Sequence, residues 1–369
     1  MVSVNQLKSK LNRKPKPKRR ITSDMLLSTG STMLNLACTG RPLGGLIKGK
    51  YYLFVGDSAS GKTILVLTIL AEAANNPHFD NYRLIFDDIE GGALFDMAKF
   101  YGRKMASRLE PPRVDKDGAA VYSESVEDVY YNIDNAHQQW KKDGRPFIYF
   151  VDSMDSLMTG DDEEHFTKKK KAHEAGTQAK GSFGAAKPKL NSMYLRRLMT
   201  PLQKSGSILG IICQTRDSFS MFESKARSGG HALKFYATLE IWTARKQTLK
   251  KDYRGEKIPI GILSRMQVKK NRVQGKNRTV TIPIFEQFKN GGGGFDDIGS
   301  CIDYLVKMKH WEKKAAKITA PEFEFTGVRD KLVKQIELDG SYQQLQKIVG
   351  GVWSAVEEAC AVDRQMRYQ

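Results

Sequence analysis

The sequence predicts an α/β fold around a mainly parallel central sheet, with a basic N-terminal arm and a small helical C-terminal domain. Three observations lead there. Candidate strands recur at Tyr51–Val55, Arg83–Phe86, Phe147–Val151, Ile208–Cys213, Leu239–Thr243 and Arg265–Lys269. Most are near-continuously apolar, the pattern of strands buried on both faces of a parallel sheet. Helical patterns fill most of the gaps, and that alternation is what crossover connections produce. Third, a glycine-rich segment joins the first strand to an apolar helix pattern running from Ile64 to Ala74.

That segment, Gly56-Asp57-Ser58-Ala59-Ser60-Gly61-Lys62-Thr63, fits G-x-x-x-x-G-K-[ST]. Strand, glycine loop and helix are the arrangement that lets backbone N–H groups curl around phosphates, with the helix N-terminus adding partial positive charge. The expected ligand is a nucleoside triphosphate with Mg²⁺. Lys62 would reach the β- and γ-phosphates and Thr63 would ligate the metal.

Composition narrows the partners. The chain has 369 residues, 40% of them hydrophobic, enough for a sizeable core. Its formal net charge is +19, which points to a polyanion, nucleic acid first. Cys38, Cys213, Cys301 and Cys360 show no C-x-x-C spacing, so reduced thiols in a cytoplasmic setting are expected, without a zinc site. No apolar run approaches the roughly 18 residues of a membrane span, and the basic N-terminus is not followed by the apolar segment of a secretory signal.

Residues 1–20 carry Lys8, Lys10, Arg13, Lys14, Lys16, Lys18, Arg19 and Arg20 and no acid. They read as a disordered cationic arm, an electrostatic tether to nucleic acid. Two long polar stretches interrupt the core, from Gly160 to Gly181 and from Arg216 to Gly230, and loops of this length are functional or disordered. Gly291-Gly292-Gly293-Gly294 marks a flexible break. Beyond it, Ile298–Lys309, Val328–Glu337 and Tyr342–Val362 read as helices. The expected division is an arm at 1–26, a core at 27–290 and a C-terminal domain at 295–369.

Further polar residues cluster at candidate strand ends, where ligands collect in such sheets. Asp152 closes an apolar strand in the Walker B manner and would hold Mg²⁺ with Thr63. Asp87-Asp88-Ile89-Glu90 closes another. Glu90 is the first choice for polarising the attacking water and Asp88 the alternative. Gln214 ends a third strand and could sense a γ-phosphate with its amide.

The order of these pieces resembles the RecA family of homologous-recombination ATPases, over roughly residues 27–310. The likeness runs through Leu27-Ser28-Thr29-Gly30-Ser31, Pro42-Leu43-Gly44-Gly45 and the phosphate loop. Asp88-Ile89-Glu90 is similar to the family's Asp-x-Glu, Val151-Asp152-Ser153 to its Walker B segment, and Gln214-Thr215-Arg216 to the glutamine that couples nucleotide to DNA loops. Gly229-Gly230-His231-Ala232-Leu233-Lys234-Phe235-Tyr236-Ala237 resembles the run that closes its second DNA-binding loop, with His231 replacing asparagine. Val268-Lys269-Lys270-Asn271-Arg272 resembles the segment whose cations reach the neighbouring subunit's γ-phosphate.

The resemblance implies a RecA-type ATPase core with DNA-binding loops at about 157–183 and 215–230. It implies DNA contacts from Lys168, Lys169, Lys170, Lys171, Arg216, Lys225, Arg227, Gly229 and Gly230, and base stacking by Phe219, Met221 and Phe222. Lys62 in cis and Lys270 with Arg272 in trans would flank ATP between subunits, with Glu90 and Gln214 completing the catalytic set. The expected protein is a DNA-dependent ATPase that forms helical filaments on single-stranded DNA, pairs it with homologous duplex DNA and exchanges strands. A replicative helicase and a non-recombining P-loop mediator share the core and are the two rivals. The sequence also departs from the family pattern: residues 1–26 differ from its oligomerisation unit, the Gly160–Gly181 loop is longer and more charged, and the second loop lacks its Thr-rich ending.

Overall fold

The computed structural model describes residues 21–118, 120–177, 186–217, 225–227, 230–289, 291–365 and 367, with the backbone alone for 216, 217 and 225–227. The arm of residues 1–20 lies outside them. One sheet dominates. Its strands are β1 (Tyr51–Gly56), β2 (Arg83–Asp88), β3 (Phe147–Asp152), β4 (Ile208–Asp217), β5 (Lys225–Arg227), β6 (Leu239–Tyr253), β7 (Glu256–Asn271), β8 (Thr279–Phe285) and β9 (Gly294–Phe295). The order is β9-β8-β7-β6-β1-β4-β3-β2, with β5 paired to β4. The five strands β6, β1, β4, β3 and β2 run parallel, while β7, β8, β9 and β5 join antiparallel.

Parallel strands need both faces covered, and the side chains divide accordingly. Tyr52, Phe54, Ile148 and Phe150 enter one buried cluster with Leu65 and Leu70 of α2 (Lys62–Asn75). Tyr51, Leu53, Val55, Tyr149 and Val151 enter the other with α3 (Val126–Asp143) and α5 (Ala186–Ser205). The period of two along each strand produces that split. Ser125 and Asp128 close α3 with a capping box, and Gly144 ends it in the left-handed region at φ 72°.

Three segments differ from expectation. First, Gly160–Glu174 is a helix, α4, inside the stretch read as a polar loop. It buries no residue, so no apolar periodicity marks it. Its stability is local: a Thr159–Asp162 capping box, acids Asp161, Asp162 and Glu163 at its start and Lys171 and His173 at its end, opposed to the helix dipole. Second, β6 and β7 run far beyond the short strands expected there. Their antiparallel pairing continues to Tyr253 and Glu256, closed by Arg254 and Gly255 at φ 51° and 87°, the turn geometry that suits a two-residue hairpin. Among the described residues β1 meets β6 only at Leu239–Thr243 and β8 meets β7 only at Gly261–Gln267. Residues 244–260 therefore form a two-stranded ribbon without a third strand among the described residues, and its Arg245, Lys246, Lys250 and Lys251 are exposed. Third, the C-terminal segment is not helical alone. A three-stranded antiparallel sheet of β10 (Glu312–Lys314), β11 (Lys317–Ala320) and β12 (Phe325–Val328) accompanies α7 (Asp297–Lys307), α8 (Arg329–Leu338) and α9 (Tyr342–Ala359).

Leu305, Trp311, Ile318, Leu332, Leu345 and Trp353 of this segment belong to the same buried cluster as Leu34 and Leu65. Half-buried Asp297 anchors the seam. It accepts hydrogen bonds from Thr32 N at 2.7 Å, Thr32 Oγ1 at 2.8 Å and Tyr342 OH at 2.5 Å. Thr32 begins α1 (Thr32–Thr39), so the seam ties chain segments distant in sequence.

Candidate nucleotide site and DNA-facing elements

The phosphate loop follows β1 and packs tightly against the sheet. A Cβ on Gly56 would fall 2.2 Å from Thr243 Oγ1 and 2.5 Å from Thr243 O, so no larger residue fits. The loop passes through the left-handed region at Ala59 (φ 54°) and Gly61 (φ 95°). This turn leaves Ser58 and Ala59 exposed at its crest. Buried hydroxyls hold it from the side. Ser60 Oγ donates to Asp57 O and shares a hydrogen bond with Thr243 Oγ1, each at 2.7 Å, and Ser264 Oγ donates to Ser60 O at 2.8 Å. Thr243 and Ser264 were not among the expected site residues. They sit inside β6 and β7, and nothing local in sequence marks a strand hydroxyl as facing a loop.

Lys62 opens α2 with its side chain folded back over the loop, donating to Gly56 O at 2.9 Å and Asp57 O at 2.7 Å. Burial pulls its pKa down, against the attraction of Asp152, Glu90, Asp57 and Asp155. Thr63 Oγ1 donates to Asp152 Oδ2 at 2.6 Å. Burial pushes the Asp152 carboxyl up to about 6, with Glu90 and Asp88 adding to the rise and the Thr63 hydrogen bond opposing it. One hydroxyl and one carboxylate are hard oxygen donors. They are too few for an all-protein cage and suited to Mg²⁺ that keeps waters and phosphate oxygens. The glycine cradle, the crest and this pair fit ATP with Mg²⁺.

The carboxylates beyond β2 have different partners. Asp88 accepts from Gly92 N at 3.2 Å and Ala93 N at 2.9 Å, so both its oxygens hold a turn. Glu90 is exposed and accepts from Ser153 Oγ, from Ser156 Oγ at 2.8 Å and from Gln214 Nε2 at 3.0 Å. Burial raises its pKa, but those three hydrogen bonds and Lys62 outweigh it, and the carboxyl lies below its ordinary value.

Gln214 sits where β4 leaves the sheet, level with Gly56 in the register. Its backbone N donates to Asp155 Oδ2 at 2.5 Å. The next residue, Thr215, donates its hydroxyl to Asp57 Oδ1 of the phosphate loop. Beyond them β4 continues into the β4–β5 hairpin, pairing Thr215 with Arg227, Arg216 with Ala226 and Asp217 with Lys225. Asp155 and Thr215 are further residues that motif reading passed over.

Lys270 and Arg272 stand elsewhere. Lys270 pairs with Glu240, which pairs with Leu53; Arg272 N bonds Thr238 O, and Thr238 N bonds Tyr51 O. Arg272 is thus level with the start of β1, five residues from Gly56. That is about 16 Å along the strand at roughly 3.3 Å per residue. Lys270 Nζ donates to Lys234 O and to Phe235 O, the latter at 2.9 Å, and the Arg272 guanidinium lies 5.8 Å from the Phe235 ring centre. Within one chain Arg272 lies at the end of β1 far from the phosphate loop, and Lys270, level with Leu53, is held by α6 carbonyls.

Of the residues expected to meet DNA, Lys168, Lys169, Lys170 and Lys171 lie on α4. Successive helical residues are about 100° apart, so four in a row surround the helix and present no single cationic face. Lys168 pairs with Glu164 at 3.3 Å. Arg216, Lys225 and Arg227 lie on the β4–β5 hairpin by backbone position. Gly230 caps α6 (His231–Tyr236) at φ 80°, and a Cβ there would meet Pro188 at 2.8 Å. Phe219, Met221, Phe222 and Gly229 lie outside the described residues. Among those described, Cys38, Cys213 and Cys301 are buried, Cys360 is exposed and none forms a disulfide. No described helix is long and apolar enough to cross a membrane.

A parallel α/β sheet with a glycine phosphate loop between a buried strand and a helix defines the class of P-loop proteins. Comparison with known proteins narrows the class. The RecA N-terminal domain family matches residues 168–291. Protein RecA of a Methylobacterium species is 28% identical over 292 residues, covering 79% of this chain and 69% of its own. Protein RecA of Chloroherpeton thalassium is 27% identical over 293 residues, covering 79% and 70%. Protein RecA of a Synechocystis species is 26% identical over 317 residues, covering 84% and 77%. The chain is similar to the RecA family.

Proposed function

We propose that this protein is an ATP-dependent DNA recombinase that polymerises on single-stranded DNA and exchanges it with homologous duplex. One observation carries the reading: Glu90, beside Lys62, Thr63 and Asp152, is hydrogen-bonded to Gln214 at the root of the β4–β5 hairpin. A hydrolytic centre and a candidate DNA-binding loop thus share a side-chain contact.

In this reading the loop from Gly56 to Thr63 wraps the phosphates and Lys62 leaves the Gly56 and Asp57 carbonyls for the β- and γ-phosphates. Thr63 and Asp152 hold Mg²⁺, which neutralises charge on the phosphate oxygens. Glu90, ionised at neutral pH, orients water and takes its proton. Ser153 and Ser156 fix the carboxylate, so its orientation needs no rearrangement during reaction. Lys270 and Arg272, whose backbones lie three and five residues from Gly56 along β1, serve the neighbouring chain's nucleotide. Cations supplied in trans stabilise transferring phosphoryl groups and make ATP part of the subunit interface.

Charge supports the partner. A net +19 chain with a lysine-rich arm, a cationic ribbon and a hairpin bearing Arg216, Lys225 and Arg227 is suited to backbone phosphates. Electron microscopy with ATP and single-stranded DNA tests the proposal. Helical filaments are expected. Closed rings would favour a replicative helicase, and no assembly would favour a non-recombining mediator. A strand-exchange assay with homologous and heterologous duplex then separates recombination from mere coating.

A further inference from the structure

Two successive residues end β4, and they grip different parts of the site. Gln214 reaches Glu90 beyond β2, at the place proposed for the attacking water. Thr215 reaches Asp57, the second residue of the phosphate loop. Neighbouring residues on a strand point to opposite faces, so one strand end touches two loops at once. Asp155 holds the Gln214 backbone from a third loop. Directly beyond, Thr215 is the first pair of the β4–β5 hairpin, opposite Arg227.

We propose that Thr215 is a positioning residue that reports occupancy of the phosphate loop to the β4–β5 hairpin, separately from the γ-phosphate report carried by Gln214. The inference rests on the recombinase reading for the identity of the hairpin's ligand. It does not rest on that reading for the link itself.

The physical argument concerns which phosphate each contact can feel. Asp57 belongs to the loop whose backbone must close around any bound di- or triphosphate. Its carboxylate rides on that backbone, so ADP and ATP both move it. Glu90 sits outside the loop with the hydroxyls of Ser153 and Ser156 and lies where the terminal phosphate is attacked. Two signals of different content therefore converge on adjacent residues: any nucleotide through Thr215, and triphosphate through Gln214. Each link can shift the hairpin only by its differential free energy between states. A hydrogen bond to a carboxylate suffices for about a fivefold or larger change in affinity.

The test uses the full chain with Thr215→Val, which keeps the branched shape and deletes the hydroxyl, and Thr215→Ser, which keeps the hydroxyl. Single-stranded DNA affinity is measured without nucleotide, with ADP and with a non-hydrolysable ATP analogue. For Thr215→Val the change from no nucleotide to ADP, in either direction, should shrink about fivefold or more, while the gain from ADP to the ATP analogue keeps the parent's value. Thr215→Ser should restore the parent's pattern. By reciprocity, DNA should change ADP affinity by the same factor in the parent and by less in Thr215→Val. An unchanged ADP effect in Thr215→Val, or a serine variant that behaves like valine, overturns the proposal. Hydrogen exchange across 214–227 with and without ADP reads the link in the absence of DNA. ADP-dependent protection in the parent that is lost in Thr215→Val upholds the link even if the chain binds no DNA, and equal protection in both refutes it.

Discussion

The side-chain amide of Gln214 lies 3.0 Å from Glu90 Oε1, so the residue heading the hairpin and the residue proposed to activate water hold one hydrogen bond in common. A carboxylate only accepts, so the amide must present its nitrogen to Glu90. Gln214→Ala cuts this contact and leaves the phosphate loop untouched. ATP affinity should stay within about twofold of the parent. The ratio of single-stranded DNA affinities with an ATP analogue and with ADP should fall to about 1, and stimulation of hydrolysis by DNA should disappear. A ratio equal to the parent's would make Gln214 a strand-end residue only.

Glu90 and Asp88 can be separated because their partners differ. Glu90→Gln keeps the shape and removes the base, so single-turnover hydrolysis should slow by about a hundredfold or more with nucleotide binding retained. Asp88→Asn perturbs a turn whose Gly92 and Ala93 N–H groups both point at the carboxylate. Its cost should appear in thermal stability, about 1 kcal/mol, with the chemical step near the parent rate. The reverse pattern would assign the base to Asp88.

Gly56→Ala tests the packing of the phosphate loop on β6. The new methyl would lie 2.2 Å from Thr243 Oγ1 and 2.8 Å from Ser60 Oγ, so the loop must move. Destabilisation of about 1–3 kcal/mol is expected from overpacking, together with loss of nucleotide binding. Adding Thr243→Ala to Gly56→Ala removes the side-chain half of the clash and should recover part of the stability in denaturant titrations. The Thr243 backbone oxygen, 2.5 Å from the same methyl, keeps the recovery incomplete.

Glu357 of α9 predicts an acid-sensitive seam. It accepts from Arg278 Nε at 2.5 Å and Nη2 at 2.6 Å and from Lys276 Nζ at 2.6 Å. The Arg278 hydrogen bonds, reinforced by Lys276 and opposed by slight burial, lower its carboxyl to about 2. A depressed folded-state pKa contributes stability above the unfolded value of 4.5 that is lost as pH falls from there through about 2. Solvent screening leaves a contribution of about 1 kcal/mol. Glu357→Gln should lower the melting temperature at pH 7 and flatten its decline between pH 5 and 3. Parallel declines for parent and variant would refute the assignment.

The parallel core was legible because its strands are buried on both faces, so Tyr51–Val55 and Phe147–Val151 announce themselves as apolar runs ended by polar groups. The phosphate loop was legible because glycine geometry forces a local pattern. Helix α4 was not, since it buries nothing and its stability comes from capping and charge order rather than periodicity. The ribbon of residues 244–260 escaped for a related reason: with no neighbour strand it has no inward face to keep apolar. Thr243, Ser264, Asp155 and Thr215 escaped because their partners are distant in sequence. The register of β6, β7 and β4 brings Thr243, Ser264 and Thr215 to the site, and the turn after β3 brings Asp155.

The phosphate loop and Arg272 lie at opposite ends of β1, and this would make the chain directional. If each chain completes its neighbour's site, contacts are head-to-tail and never self-complementary. A row of n chains then contains n − 1 finished sites and two unlike tips, one offering an incomplete phosphate loop and the other a spare pair of cations. Subunits would join and leave the two tips at different rates. A chain with intact cations but a ruined loop would still be recruited, and it would stop hydrolysis at its own position alone.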